Sequence, residues 1–264
     1  MQPPNAELRS LAEAFVDRSR IGVEFDRIAG RFDGMLARFW PHVNDDTLAV
    51  AEGLNGMRRA FSADVLHRRA SDLLAQRFAA RTEDARRAEV VLDWLGLPET
   101  QQVWRALDAA WRDKAADNEV GSRFAAGLDA RSFSVRWQRV RVRRFLRASG
   151  DDVFLAEVTL ALSRGVLRAK AVRLGRPETE ADAIIEQARG AMVAGLKAMT
   201  QMVYLYAFRD LPTPQIDAYR RFCASEWGQW YGRLTMETVV TVYREAGDVA
   251  GSLLQQAVRR KAEG

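Results

Sequence analysis

Apolar residues recur along this chain at steps of three and four, the spacing of amphipathic helices, and rarely alternate as strands require. The clearest run is Ile21, Phe25, Ile28, Phe32, Met35 and Phe39, a seam suited to a helix lying nearly parallel to its neighbours. Ahead of it, Asn5 is placed to cap a helix carrying Leu8, Leu11 and Phe15. Trp40-Pro41 closes the seam, and Asn44-Asp45-Asp46 offers caps for a helix with Leu48, Ala51, Leu54 and Met57. Ser62 either starts the next helix (Val65, Leu66, Leu73, Leu74, Phe78) or marks a kink. Thr82 opens another, through Ala85, Ala88, Val91, Leu92 and Leu95, which Gly96-Leu97-Pro98 interrupts before Val103, Trp104, Leu107 and Trp111.

The second half repeats the plan. A seam helix starts near Asp151-Asp152, runs through Leu155, Val158, Leu162, Val166 and Ala169, and ends at Gly175-Arg-Pro177. A long helix from about Glu180 reaches Tyr206. Leu211-Pro212 then closes it, with Thr213 as cap and Pro214 at the first position of a helix whose inner face is Ile216, Tyr219, Phe222 and Cys223. Ser225 is a second cap, and Gly228 one turn later lets another backbone come close, so two helices should meet at a tight corner. A final helix carries Val239, Val242, Tyr243, Leu253, Leu254 and Val258, with Gly247 as a potential break.

The fold class expected is therefore all-α, a helical bundle built from two similar units of about four helices each, at 5–114 and 131–260, packed separately or as one domain. Setting Trp94 on Phe222, 128 residues apart, brings Pro98 onto Glu226 and Gln101 onto Gln229, the one identity in that comparison.

Residues Thr213 to Gln229 resemble the core signature of the domain of unknown function 2059 family, roughly Thr-Pro-x-x-Leu followed by Phe-Tyr-x-Ser-Pro-x-Gly-Gln. Thr213, Pro214, Phe222, Ser225, Gly228 and Gln229 fit, while Cys223 stands at the tyrosine and Glu226 at the proline. The similarity is clearest over 211–234, and a divergent copy near 82–107 keeps Pro98 and Gln101 but has Thr100 at the glycine. What it implies is a bacterial all-helical module, exported and hence periplasmic, with no established activity. Without that resemblance the cytoplasm is the alternative.

Composition changes this picture little. With 264 residues, 48% apolar and 28% charged, the chain can bury a core without staples. Its net charge of +5 is modest, because acids are spread through most of the sequence. The longest apolar run, Met202 to Phe208, is too short to span a bilayer. No charged-then-apolar signal opens the chain, although Met1-Gln-Pro-Pro-Asn5 also fits a mature N-terminus behind an initiator methionine. A single cysteine, Cys223, excludes an internal disulfide and reads as a core residue.

Candidate chemistry is sparse. No GxGxxG, phosphate loop, GxSxG, HExxH, EF-hand or paired CxxC occurs, and the two histidines, His42 and His67, lack spaced co-ligands, so neither a catalytic set, a cofactor nor a metal is expected. The acid pairs Asp45-Asp46 and Asp151-Asp152 sit where carboxylates cap helices. Two stretches remain. Trp227, Trp230 and Tyr231 would anchor a protein partner or an apolar ligand if exposed, and would be core otherwise. The run from Arg131 to Arg147 holds seven arginines and no acid, interleaved with Phe133, Trp137 and Phe145. It reads as a helix with Arg136, Arg139, Arg143 and Arg147 along a solvated face, paired to acids from elsewhere, with a short extended piece at Phe133 to Trp137 as the other option. Left unpaired, those arginines would bind nucleic acid or anionic lipid. The function expected first is non-enzymatic binding of a protein or an apolar ligand. Polyanion binding is the alternative, and an enzyme whose acids meet only in three dimensions is the third.

Overall fold

The computed structural model describes residues 4–28, 48–116 and 133–263, and all regular structure among them is helical. In the first stretch α1 spans Ala6–Arg18 and α2 residues 20–28. In the second lie α3 (Leu48–Ala60), α4 (Ala63–Ala80), α5 (Thr82–Leu95) and α6 (Pro98–Ala116). In the third lie α7 (Phe133–Ser149), α8 (Asp151–Arg173), α9 (Glu178–Ala207), α10 (Thr213–Ala224) and α11 (Glu226–Glu263). The all-α expectation is met. Phe32, Met35, Phe39, His42, the caps at Asn44 to Asp46 and Arg131 lie outside the described residues.

Most boundaries follow from local chemistry. Asn5 caps α1, its Oδ1 accepting from Leu8 N–H at 2.9 Å. Ser62 stands at a true start of α4, although its hydroxyl donates back to Arg59 O at 2.9 Å instead of capping forward. Gly175, with φ at +66°, turns the chain after α8. One local expectation needs correction, and two alternatives are not taken up. Thr213 is the first residue of α10 and Pro212 its cap, so the threonine side chain caps nothing. Phe133 to Trp137 is helix, not strand, because the 3.6-residue period set by Val142, Phe145 and Leu146 carries back through it. Gly247 does not break α11, which runs on to Glu263.

The chain forms two compact units, and they interleave instead of following one another. The first comprises residues 1–88, 157–190 and 235–264, and the second 89–156 and 191–234. The divisions fall inside α5, α8, α9 and α11, so neither unit is a sequential half, and the expected boundaries at 5–114 and 131–260 do not describe them. Helices of 23, 30 and 38 residues are the physical reason: each is long enough to serve both units.

In the first unit Phe15 meets Phe78 edge-on at 6.2 Å, and Tyr243 lies between Phe25 and Phe61 at 5.6 and 6.3 Å. Several of its surface arginines are paired. Arg69 holds Glu245 with two N–H groups, Arg77 reaches Asp84 at 2.8 Å and Glu237 at 2.6 Å, and Arg168 reaches Asp182 at 2.8 Å and Asp248 at 3.2 Å. The Arg168 hydrogen bond, with Arg164 adding to it, holds the Asp182 carboxyl below its usual range.

In the second unit the core gathers Val103, Val142, Phe145, Leu146, Tyr204, Phe208, Ile216 and Tyr219. The two corners, α5 into α6 and α10 into α11, share one bond. Gln101 donates its side-chain N–H to Leu95 O at 2.6 Å, and Gln229 donates to Cys223 O at 2.7 Å, six residues back in each case. Gln229 also donates to Ala148 O at 2.9 Å, which ties the end of α7 to the second corner. Trp94 and Phe222 stack on each other at 3.4 Å and 8°.

Candidate functional site

α7 belongs wholly to the second unit, and a turn of 100° per residue sorts its side chains. Val142, Phe145 and Leu146 point into the core, with Phe145 5.4 Å from Tyr219 and 5.0 Å from Phe208. On the opposite side Arg136, Val140, Arg143 and Arg147 line up at steps of four, three and four, all exposed. Beside them run Trp137, Arg141 and Arg144. Arg139, which the sequence pattern groups with the first row, is half-buried on the flank.

Several arginines elsewhere meet carboxylates, Arg69, Arg77, Arg168 and Arg189 among them, while others such as Arg68, Arg105 and Arg244 meet none among the described residues; α7 gathers six of the second kind on one helix. Among the described residues, no ion pair, hydrogen bond or ring contact is made by the side chains of Arg136, Arg139, Arg141, Arg143, Arg144 or Arg147. The expected pairing with acids from other elements is thus not found among the described residues. The helix itself supplies none, having no acid between Phe133 and Ser149. Trp137 is 50% exposed and Val140 37%, so two apolar groups stand within the cationic face.

The aromatic cluster of α11 is placed differently from its reading as an exposed anchor. Trp230 and Tyr231 are only 4% and 8% exposed and belong to the core, while Trp227 is 39% exposed. Spacing brings the three to one end of the helix, but what lies over that end decides their exposure.

Two pairs of polar groups inside this unit satisfy each other. Trp104 Nε1–H donates to the Tyr219 hydroxyl at 2.6 Å, and the Tyr204 hydroxyl donates to the Asp151 carboxylate. Asp151 therefore does more than sit at a helix start: it accepts a hydrogen bond inside the core. Burial pushes the Tyr219 hydroxyl well above its ordinary value of 10, and Cys223, Tyr231 and Asp151 add to the effect. A raised folded-state value means that Tyr219 contributes stability fully below the unfolded value and loses it as pH climbs toward the folded one. Stability should accordingly fall above about pH 10, and Tyr219→Phe should flatten that fall while lowering stability at neutral pH by about 1 kcal/mol through the lost Trp104 bond. Urea unfolding of both proteins across that range checks this, and parallel curves would refute it.

The first unit holds a rim histidine and a groove. His67 has Nε2 3.1 Å from Asp26 and Nδ1 3.6 Å from Asp17, with its ring 5.7 Å from Phe25, a rim position between carboxylates. A groove of about 530 Å³ is lined by Ala60, Val65, Leu66, Val242, Ala246 and Val249, with the Arg69–Glu245 pair at its edge. Among the described residues no three His, Cys, Asp or Glu side chains are grouped to hold a metal ion, and no helix is long and apolar enough to cross a membrane.

No family model, no curated protein and no solved structure matches this chain.

Proposed function

We propose that this protein is a non-enzymatic helical binding protein that engages a polyanion through the outward face of α7. The observation that supports it is the clustering on α7 of six arginines without a carboxylate partner among the described residues, four of them exposed (Arg136, Arg143, Arg144, Arg147) and Arg139 and Arg141 half-buried beside them. Gathering so many like charges on one helix face raises the energy of the folded protein, and a phosphate-bearing surface relieves it. A chain carrying +5 overall needs such local concentration to bind anions well.

The reading as a binder of apolar ligands comes second. The groove beside Val65 and Val249 supports it, but the charges at its edge already satisfy each other. The buried Trp230 and Tyr231 remove the main anchor for a protein partner. We place the protein in the periplasm on its resemblance alone, with the cytoplasm as the alternative, and we read the paired corners at Gln101 and Gln229 as one duplicated element.

The test uses a duplex DNA oligonucleotide as a generic polyanion. Four arginines on phosphates predict a slope of log affinity against log salt near −3.6, hence a loss of roughly a hundredfold between about 50 and about 200 mM salt. Changing Arg136, Arg143 and Arg147 together to glutamine should make the slope shallower by about three. Absence of binding to duplex, heparin and anionic vesicles alike at the lower salt would overturn the proposal.

A further inference from the structure

We infer that the polyanion is the surface of an anionic lipid bilayer, on which α7 lies flat with Trp137 and Val140 entering the headgroup layer. This rests on the polyanion reading above and adds the identity of the surface.

The exposed apolar groups decide between surfaces. Phosphates would satisfy the arginines equally on a nucleic acid or on a membrane. A duplex, however, keeps its base faces stacked inside and presents sugar and phosphate to an approaching helix, so it leaves Val140 unpartnered and Trp137 without a base to stack on. The headgroup layer takes both, since tryptophan favours that depth and an aliphatic side chain gains from entering it. Trp137 and Val140 are 50% and 37% exposed in the folded protein, free to do so without rearrangement. The arginines around them match the same surface: the aliphatic stems lie along the interface while the guanidinium groups stay with the phosphates. Arg136, Arg143 and Arg147 share the row of Val140, and Arg144 stands one full repeat from Trp137, so cations flank each apolar group. Seventeen helical residues give a contact line of about 25 Å, parallel to the bilayer plane. No helix among the described residues is long and apolar enough to cross a membrane, so the binding is peripheral.

Each arginine held near an anionic surface is worth roughly fivefold in partitioning. The full chain, mixed with vesicles of phosphatidylcholine alone or with about a third phosphatidylglycerol, should sediment with the anionic vesicles several hundredfold more strongly. R136Q/R143Q/R147Q should lose roughly a hundredfold, and R136K/R143K/R147K, which keeps the charge, should retain binding. W137S/V140S should bind anionic vesicles about tenfold more weakly yet bind duplex DNA as the parent does. Brominated lipids should quench fluorescence in the parent by an amount that Trp137→Phe removes. All these positions are exposed, and far-ultraviolet circular dichroism checks that the variants remain folded.

Binding to duplex but not to anionic vesicles would sink the bilayer and leave the polyanion reading standing. Vesicle binding that ignores W137S/V140S and shows no quenching at Trp137 would sink the docking geometry. Binding to neither would end both proposals.

Discussion

Gly228→Ala lowers the midpoint of thermal unfolding by about 6 to 12 °C, the effect expected from roughly 3 kcal/mol in a protein of this size. A Cβ at residue 228 would overlap the Phe222 carbonyl oxygen and stand 2.7 Å from Cys223 Cα. Both are backbone atoms of α10, so no change of rotamer relieves the clash and the corner must open. Opening it strains the Ser225 cap, in which the hydroxyl accepts from Gly228 N–H at 3.2 Å and donates to Phe222 O at 2.6 Å, worth about 0.5 to 2 kcal/mol. Overpacking against rigid backbone adds about 1 to 3 kcal/mol. The gain in helix propensity on replacing glycine by alanine, at most about 1 kcal/mol, does not offset these. Gly232→Ala is the control one turn on: its nearest atom is Ser149 O at 3.9 Å, an ordinary contact, so that variant melts at or slightly above the parent temperature. Scanning calorimetry of the two variants decides it, and equal midpoints would disprove the role given to the corner. Because Gln229 links this corner to Ala148 at the end of α7, its opening also loosens the helix that carries the arginines.

The second large effect belongs to the first unit, where α8 crosses α11 with Gly165 against Gly247. A Cβ on Gly165 would lie 2.7 Å from Gly247 Cα, and one on Gly247 would lie 2.8 Å from Gly165 Cα. Either single alanine forces the two helices apart and is expected to cost about 2 kcal/mol in urea unfolding. The double variant should cost less than the sum, by about 1 kcal/mol, because the first substitution has already made room for the second. Full additivity, or two harmless single changes, would mean that the helices do not depend on this close approach. Arg168, three residues beyond Gly165, bonds Asp248 beside Gly247, so separation also stretches that pair.

These two glycine sites show how far the residues could be read in advance. At Gly228 everything needed was local: a cap at Ser225, an apolar face ending at Cys223, and a glycine one turn later. Such a pattern predicts a tight turn because capping and backbone crowding act over three or four residues. Gly247 offered the same residue type without a local reason, and a break there was one reading. Its reason is Gly165, 82 positions away, which no spacing rule connects to it. The same contrast separates the candidate sites. The arginine run was visible as composition, but whether acids from other elements would neutralise it depended on where those elements pass. Trp227, Trp230 and Tyr231 shared one turn in the sequence and parted company on folding, two into the core and one into solvent.

From its residues alone this protein was determined to be helical, with most starts, stops and inward faces in place, since those depend on neighbours along the chain. Tertiary structure decided how the long helices are shared between two interleaved units, which glycines face backbone, and which charges go unpaired among the described residues. The physical reason is that pairing, exposure and close approach are properties of surfaces brought together from distant segments. A cation on α7 is the same residue with or without a carboxylate beside it, and only the packed fold leaves it facing solvent.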